Sequence, residues 1–157
     1  MRAVLNYNQF SNIEETLEDF KVLLTRYRSI KGNETKLKQF YTRNRNPIWD
    51  ITNCNYFKTG LMSQDAKNAT RKNQVDDHYI QRTKAMRFIF SELDKDEDMN
   101  VDRFIELLKK YCSTVKLSKD EHTMVTAVAK KNPTYLNYES YLACKIQVNG
   151  LSDLMLS

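Results

Sequence analysis

The stretch Arg71–Tyr79, RKNQVDDHY, and the later stretch Ser118–His122, SKDEH, decide how this chain is read. The first closes a short apolar–polar alternation with Asp76-Asp77-His78. Successive strand side chains alternate, so Val75, Asp77 and Tyr79 share one face of an extended segment and Asp76, His78 and Ile80 the other. The second stretch opens a helix. Ser118-x-x-Glu121 has the form of a capping box, in which a hydroxyl and a carboxylate satisfy each other's orphan amides. That box sets His122 on the helix's first turn. The chain has only two histidines, and both fall in these stretches.

Working outward, apolar spacing predicts a helix over 82–93 (Ala85, Met86, Ile89, Phe90, Leu93) and another over 101–111 (Phe104, Ile105, Leu108, Tyr111). Val115-Lys116-Leu117 reads as a second short strand, and the helix from Ser118 runs to about Lys131, before Asn132-Pro133. The tail, with Tyr135, Tyr138, Tyr141 and Leu142, suggests one more short helix and an irregular end. Upstream, Ser11-Asn12-Ile13-Glu14 is another capping box, predicting a helix over 12–30 that Gly32 stops. A shorter helix follows over 34–43 with Leu37, Phe40 and Tyr41 inward. Lys58-Thr59-Gly60 reads as a turn and 64–72 as a polar, basic loop. The order of elements argues for α+β, mostly α, in a single domain, 1–157.

Composition agrees with that class. The chain has 157 residues, 41% apolar and 29% charged, with three glycines and two prolines, too few for an all-β protein. A net charge of +5 favours a polyanionic partner. Cys54, Cys112 and Cys144 are odd in number and widely spaced, which suits reduced thiols in a cytoplasmic setting and argues against a structural zinc site. The opening MRAVLNYNQF lacks the apolar run of a signal peptide, and no segment reaches the length of a membrane span.

One motif competes for attention. Asp94-Lys95-Asp96-Glu97-Asp98-Met99-Asn100-Val101-Asp102 resembles the start of a calcium-binding EF-hand loop. Its sixth position is Met99 instead of Gly, and its twelfth is Ile105 instead of Glu. The competing reading is an acidic helix–helix loop with Asn100 as N-cap and Asp102 in the first turn.

A short strand ending in Asp-His, a second short strand, then a helix offering one Asn or His resembles the HNH, or His-Me finger, nuclease motif. The run DDHYIQRTKAMRFIF, the amphipathic helix with Phe104, and STVKLSKDEH resemble in particular small HNH-type proteins of tailed phages. The resemblance covers 59–131; the N-terminal helical segment, 1–45, and the tail, 132–157, lie outside it. It implies a ββα-metal motif with a helical insertion between the two strands, preceded by two N-terminal helices. It also implies a metal-dependent endonuclease acting on DNA with one Mg²⁺ or Mn²⁺. In that pattern Asp77 and His122 are metal ligands, His78 is the general base and Arg82 grips a phosphate oxygen. Water and the scissile phosphate complete the coordination. No Asn stands at the signature's middle position, so Thr114 or a backbone carbonyl is expected to steady His78.

The residues leave other readings open. Arg43, Arg45, Lys67, Arg71 and Lys72 flank Trp49, Tyr56 and Phe57, a mixture of charge and stacking surface that suits nucleic acid with or without catalysis. A solvated basic loop around a core tryptophan has the same composition. Asp76 is either a second acidic ligand or a solvated strand residue, and Glu121 already has a capping role. His122 lies on the stripe of Val125, Thr126 and Ala129, as a plain core-edge histidine also would. A non-catalytic interaction protein and a calcium-binding protein are the remaining classes, and a single chain and a homodimer are both open.

Overall fold

A computed structural model describes residues 7–45 and 57–156. Trp49, Cys54 and Tyr56 lie outside the described residues. In order, the elements are α1 (Tyr7–Ile30), α2 (Glu34–Arg43), β1 (Lys58–Met62), α3 (Gln64–Asn68), a 3-10 turn (Arg71–Asn73), β2 (Gln74–His78), α4 (Arg82–Lys95), α5 (Val101–Cys112), β3 (Thr114–Ser118), α6 (Lys119–Lys131), α7 (Asn137–Ala143) and α8 (Leu151–Leu156). The class is α+β and mostly helical, with a three-stranded sheet among the described residues.

These elements gather into two compact units that interleave in sequence. Among the described residues, the first holds 7–45 and Phe57 together with Arg82–Tyr111, and the second holds Lys58–Gln81 with 112–156. The first unit is helical. The predicted stripe of α1 buries Ile13, Leu17, Phe20, Leu24, Tyr27 and Ile30. Its rings meet Phe90 on α4, with Phe20 at 5.1 Å and Tyr27 stacked at 5.4 Å between centroids, and Phe40 on α2 reaches the same ring at 5.1 Å. The helix starts at Tyr7, so it runs straight through Ser11–Glu14 instead of starting there. Asn33 caps α2 by accepting from the Lys36 amide at 3.1 Å.

The second unit is built on the sheet, ordered β1-β3-β2. β2 and β3 are antiparallel, with Val75 opposite Leu117, Asp77 opposite Val115 and His78 opposite Thr114. β1 lies parallel on the other side of β3. Lys58-Thr59-Gly60 is therefore strand and not turn. Gly60 takes φ +78, and the ladder shifts register between Lys58 and Met62. An irregularity of that kind inside a strand carries the same residue signal as a turn. The expected loop over 64–72 is α3 and the 3-10 turn, and the tail forms two helices, α7 and α8, instead of one. α6 leaves the end of β3 directly and packs on β2 and β3, and α7 packs on α6.

Candidate functional site

Asp77 sits in β2 on the face that carries Val75, Val115 and Leu117, and Val115 and Leu117 are buried. Strand alternation thus puts a carboxylate where its neighbours are apolar, and only 4% of the residue is exposed. A buried carboxylate needs partners. The buried hydroxyl of Tyr141, on α7, donates to Asp77 Oδ2. Asp77 Oδ1 lies 2.8 Å from Nδ1 of His122. Burial pushes the Asp77 carboxyl above the ordinary aspartate range, against the pull of those two hydrogen bonds. Burial and the neighbouring carboxylate likewise raise the Tyr141 phenol, so Tyr141 stays an O–H donor.

The position of His122 follows from its local sequence. The Ser118–Glu121 capping box is complete: the Ser118 amide donates to Glu121 Oε1 at 2.9 Å and the Glu121 amide to Ser118 Oγ at 3.2 Å. The same Oε1 accepts from the hydroxyl of Ser63, which itself caps α3. Glu121 is buried and committed to these three groups, which fixes the first turn of α6. The His122 side chain is 42% exposed, so solvent reaches the pair from the imidazole side.

His78 is the last residue of β2, and the chain bends at Tyr79–Ile80. Its side chain leaves the strand on the face opposite Asp77. The expected brace from Thr114 is not made by that side chain: the Thr114 hydroxyl is buried and has no hydrogen-bond partner. Instead Asn137 Nδ2 donates to the His78 carbonyl at 2.7 Å. The Tyr138 amide bonds the Tyr79 carbonyl at 3.0 Å, and Gln81 bonds both Tyr135 O and the Asn137 amide. The tail segment 135–141 therefore grips the end of β2 at residues 77, 78, 79 and 81.

Asp76 faces the other side and pairs with Lys58 at 2.9 Å and Lys116 at 3.1 Å. Burial alone would raise its carboxyl, but the two lysines hold it below the usual aspartate value. It is an ion-paired strand residue and stands on the opposite face from Asp77. Among the described residues, no group of three or more His, Cys, Asp or Glu side chains could hold a metal ion. Asp77 and His122 are a two-residue pair.

Lys67, Arg71 and Lys72 are exposed on α3 and the 3-10 turn of this unit. Arg43 and Arg45, exposed at the end of α2, and Arg82, which opens α4, belong to the helical unit. In the acidic loop, Asp94 pairs with Arg28 at 2.7 Å and Lys31 at 3.1 Å, and Glu97 with Arg28 at 2.8 Å. Met99 is buried and Asn100 accepts from the Arg103 amide at 2.8 Å. These carboxylates turn to basic side chains, as in a helix–helix loop. No helix among the described residues is long and apolar enough to cross a membrane.

The residues that sequence reasoning missed are Asn137 and Tyr141. The only signal was that a buried tyrosine needs a partner for its hydroxyl, and nothing local named that partner. No protein-family model, no curated protein and no solved structure matches this chain.

Proposed function

We propose that the protein is a metal-dependent endonuclease of the HNH, or His-Me finger, type, hydrolysing phosphodiester bonds of DNA. The observation that carries this reading is the 2.8 Å approach of Asp77 Oδ1 and His122 Nδ1 across forty-five positions of sequence. Two neighbouring ligands of an octahedral ion, each at 2.0–2.1 Å, lie about 3.0 Å apart. The pair meets that spacing with little movement, and the carboxylate oxygen suits Mn²⁺ as well as Mg²⁺. The antiparallel pairing of β2 and β3, followed by α6 across both, supports a ββα arrangement with α4 and α5 as the insertion.

In this reading Asp77 and His122 hold one divalent cation, which when bound neutralises charge on the departing oxygen. His78 takes a proton from the attacking water, a task an imidazole performs near neutral pH. Asp77 and His78 leave β2 on opposite faces, so one phosphate reaches both only across the strand's end. Lys67, Arg71 and Lys72, in the same unit as Asp77 and His78, give exposed cations for the phosphate backbone. A nucleic-acid-binding protein without catalysis draws on the same cations, and metal dependence separates the two. The test is nicking of supercoiled plasmid with Mg²⁺ or Mn²⁺ by wild type and His78→Ala. Cleavage that EDTA stops and that His78→Ala lowers is the expected result; EDTA-resistant cleavage, or equal rates, overturns the reading.

A further inference from the structure

We propose that Tyr141 is a positioning residue for the cation: by occupying Asp77 Oδ2 it leaves Oδ1 alone to face His122, so the site presents one carboxylate oxygen beside one imidazole nitrogen. This rests on the reading above and extends it into the tail, beyond 59–131. A carboxylate has two equivalent oxygens, and nothing in an aspartate itself selects one of them or fixes the rotation of the group. Here the selection comes from α7. Its Tyr141 hydroxyl donates to Oδ2, and Oδ1 is the oxygen 2.8 Å from His122 Nδ1. Tyr141 is only 2% exposed, so water does not compete for its hydroxyl.

The helix is itself held in register with the strand. Asn137 and Tyr141 are four residues apart and so lie on one face of α7. Asn137 takes the His78 carbonyl while Tyr141 takes the Asp77 carboxylate. The Tyr138 amide fixes the next residue, Tyr79, at 3.0 Å. The last two residues of the strand, and Tyr79 just beyond it, are thus set by one short helix. Partners that orient a ligand in this way change metal affinity by about 10–100-fold when removed.

The test measures Mn²⁺ binding by the full chain, by loss of the free-ion electron paramagnetic resonance signal, for wild type, Tyr141→Phe and Ser140→Ala. Ser140 is the adjacent buried residue, and its hydroxyl has no hydrogen-bond partner. The expected result is a Kd at least about 10-fold weaker for Tyr141→Phe, measured at a temperature where circular dichroism shows the variant folded, with Ser140→Ala like wild type. Wild-type affinity in Tyr141→Phe overturns the assignment and leaves the endonuclease reading standing. Failure of the wild type to bind Mn²⁺ removes that reading, and the assignment falls with it. A second measurement needs no variant: the ring carbon bearing the Tyr141 hydroxyl should shift in the NMR spectrum on saturation with Mg²⁺. A constant signal there, with Mg²⁺ bound, overturns the assignment.

Discussion

The side-chain amide of Asn137 donates to the backbone carbonyl of His78 at 2.7 Å, joining the last residue of β2 to a helix fifty-nine positions later. The bond fixes where the strand ends and hence where the imidazole of His78 starts from. Asn137→Ala leaves the His78 carbonyl without this partner, at a cost of about 1–3 kcal/mol if water does not replace it. Displacing a catalytic group by about 1 Å costs about 10²-fold in rate. Asn137→Ala should therefore lower kcat for DNA cleavage more than it raises KM. A change confined to KM would argue that Asn137 does not act through His78.

His78→Ala should lower the Mg²⁺-dependent nicking rate by about 10²–10⁴-fold, the usual contribution of a general base. Circular dichroism and melting temperature should stay near wild type, because the His78 side chain lies outside the buried core. Mn²⁺ affinity should also be unchanged, since the proposed ligands are Asp77 and His122.

Glu121 tests the division of labour on the first turn of α6. Glu121→Ala removes the acceptor for the Ser118 amide and for the Ser63 hydroxyl. A loss of about 1–3 kcal/mol in urea-induced unfolding is expected, from one lost cap and one buried donor left without its partner. Glu121→Gln keeps an acceptor oxygen and should cost less, and Mn²⁺ affinity in Glu121→Gln should match wild type. Weaker Mn²⁺ binding in a well-folded Glu121→Gln would make Glu121 a ligand.

In the helical unit, hydrogen bonds from Arg28 and Lys31 hold the Asp94 carboxyl below its ordinary value. The folded chain therefore prefers the ionised form. The stability this gives is present above the unfolded value of 3.8 and is lost as pH falls through the lower folded value. The urea midpoints of wild type and Asp94→Asn should differ at pH 7 and converge as pH falls below 3.8. The gap should also shrink in high salt, because the pair is exposed.

The same unit depends on the ring of Phe90, which is fully buried and meets Phe20, Tyr27, Phe40 and Tyr41. Phe90→Ala should cost about 3–5 kcal/mol, read from chemical denaturation. A loss under about 1 kcal/mol would mean that the surrounding rings collapse into the space.

The long helices of both units were legible because their signals are local, whereas the short α3 and α8 were read as loop and irregular end. The stripe from Ile13 to Ile30 and the box at Ser118–Glu121 need only the spacing along one segment. The strand β1 was hidden because Gly60, with its positive φ, marks an irregularity in the ladder and looks like a turn. The start of α1 was misplaced because Ser11–Glu14 has the composition of a cap while the helix runs through it. In the site, the proximity of Asp77 and His122 was expected from the resemblance to the HNH motif, but the pair's partners were not. Tyr141 and Asn137 reach β2 across sixty-four and fifty-nine positions. Only the folded tail brings them there, and neither residue carries a pattern that names its target.

The most direct test of a shared cation follows the ring resonances of both histidines by NMR while Mn²⁺ is added. His122 and His78 should broaden together over one range of Mn²⁺ concentration, and Asp77→Ala should abolish both responses. Responses at separate concentrations, or broadening that persists in Asp77→Ala, would contradict a site built on the Asp77–His122 pair.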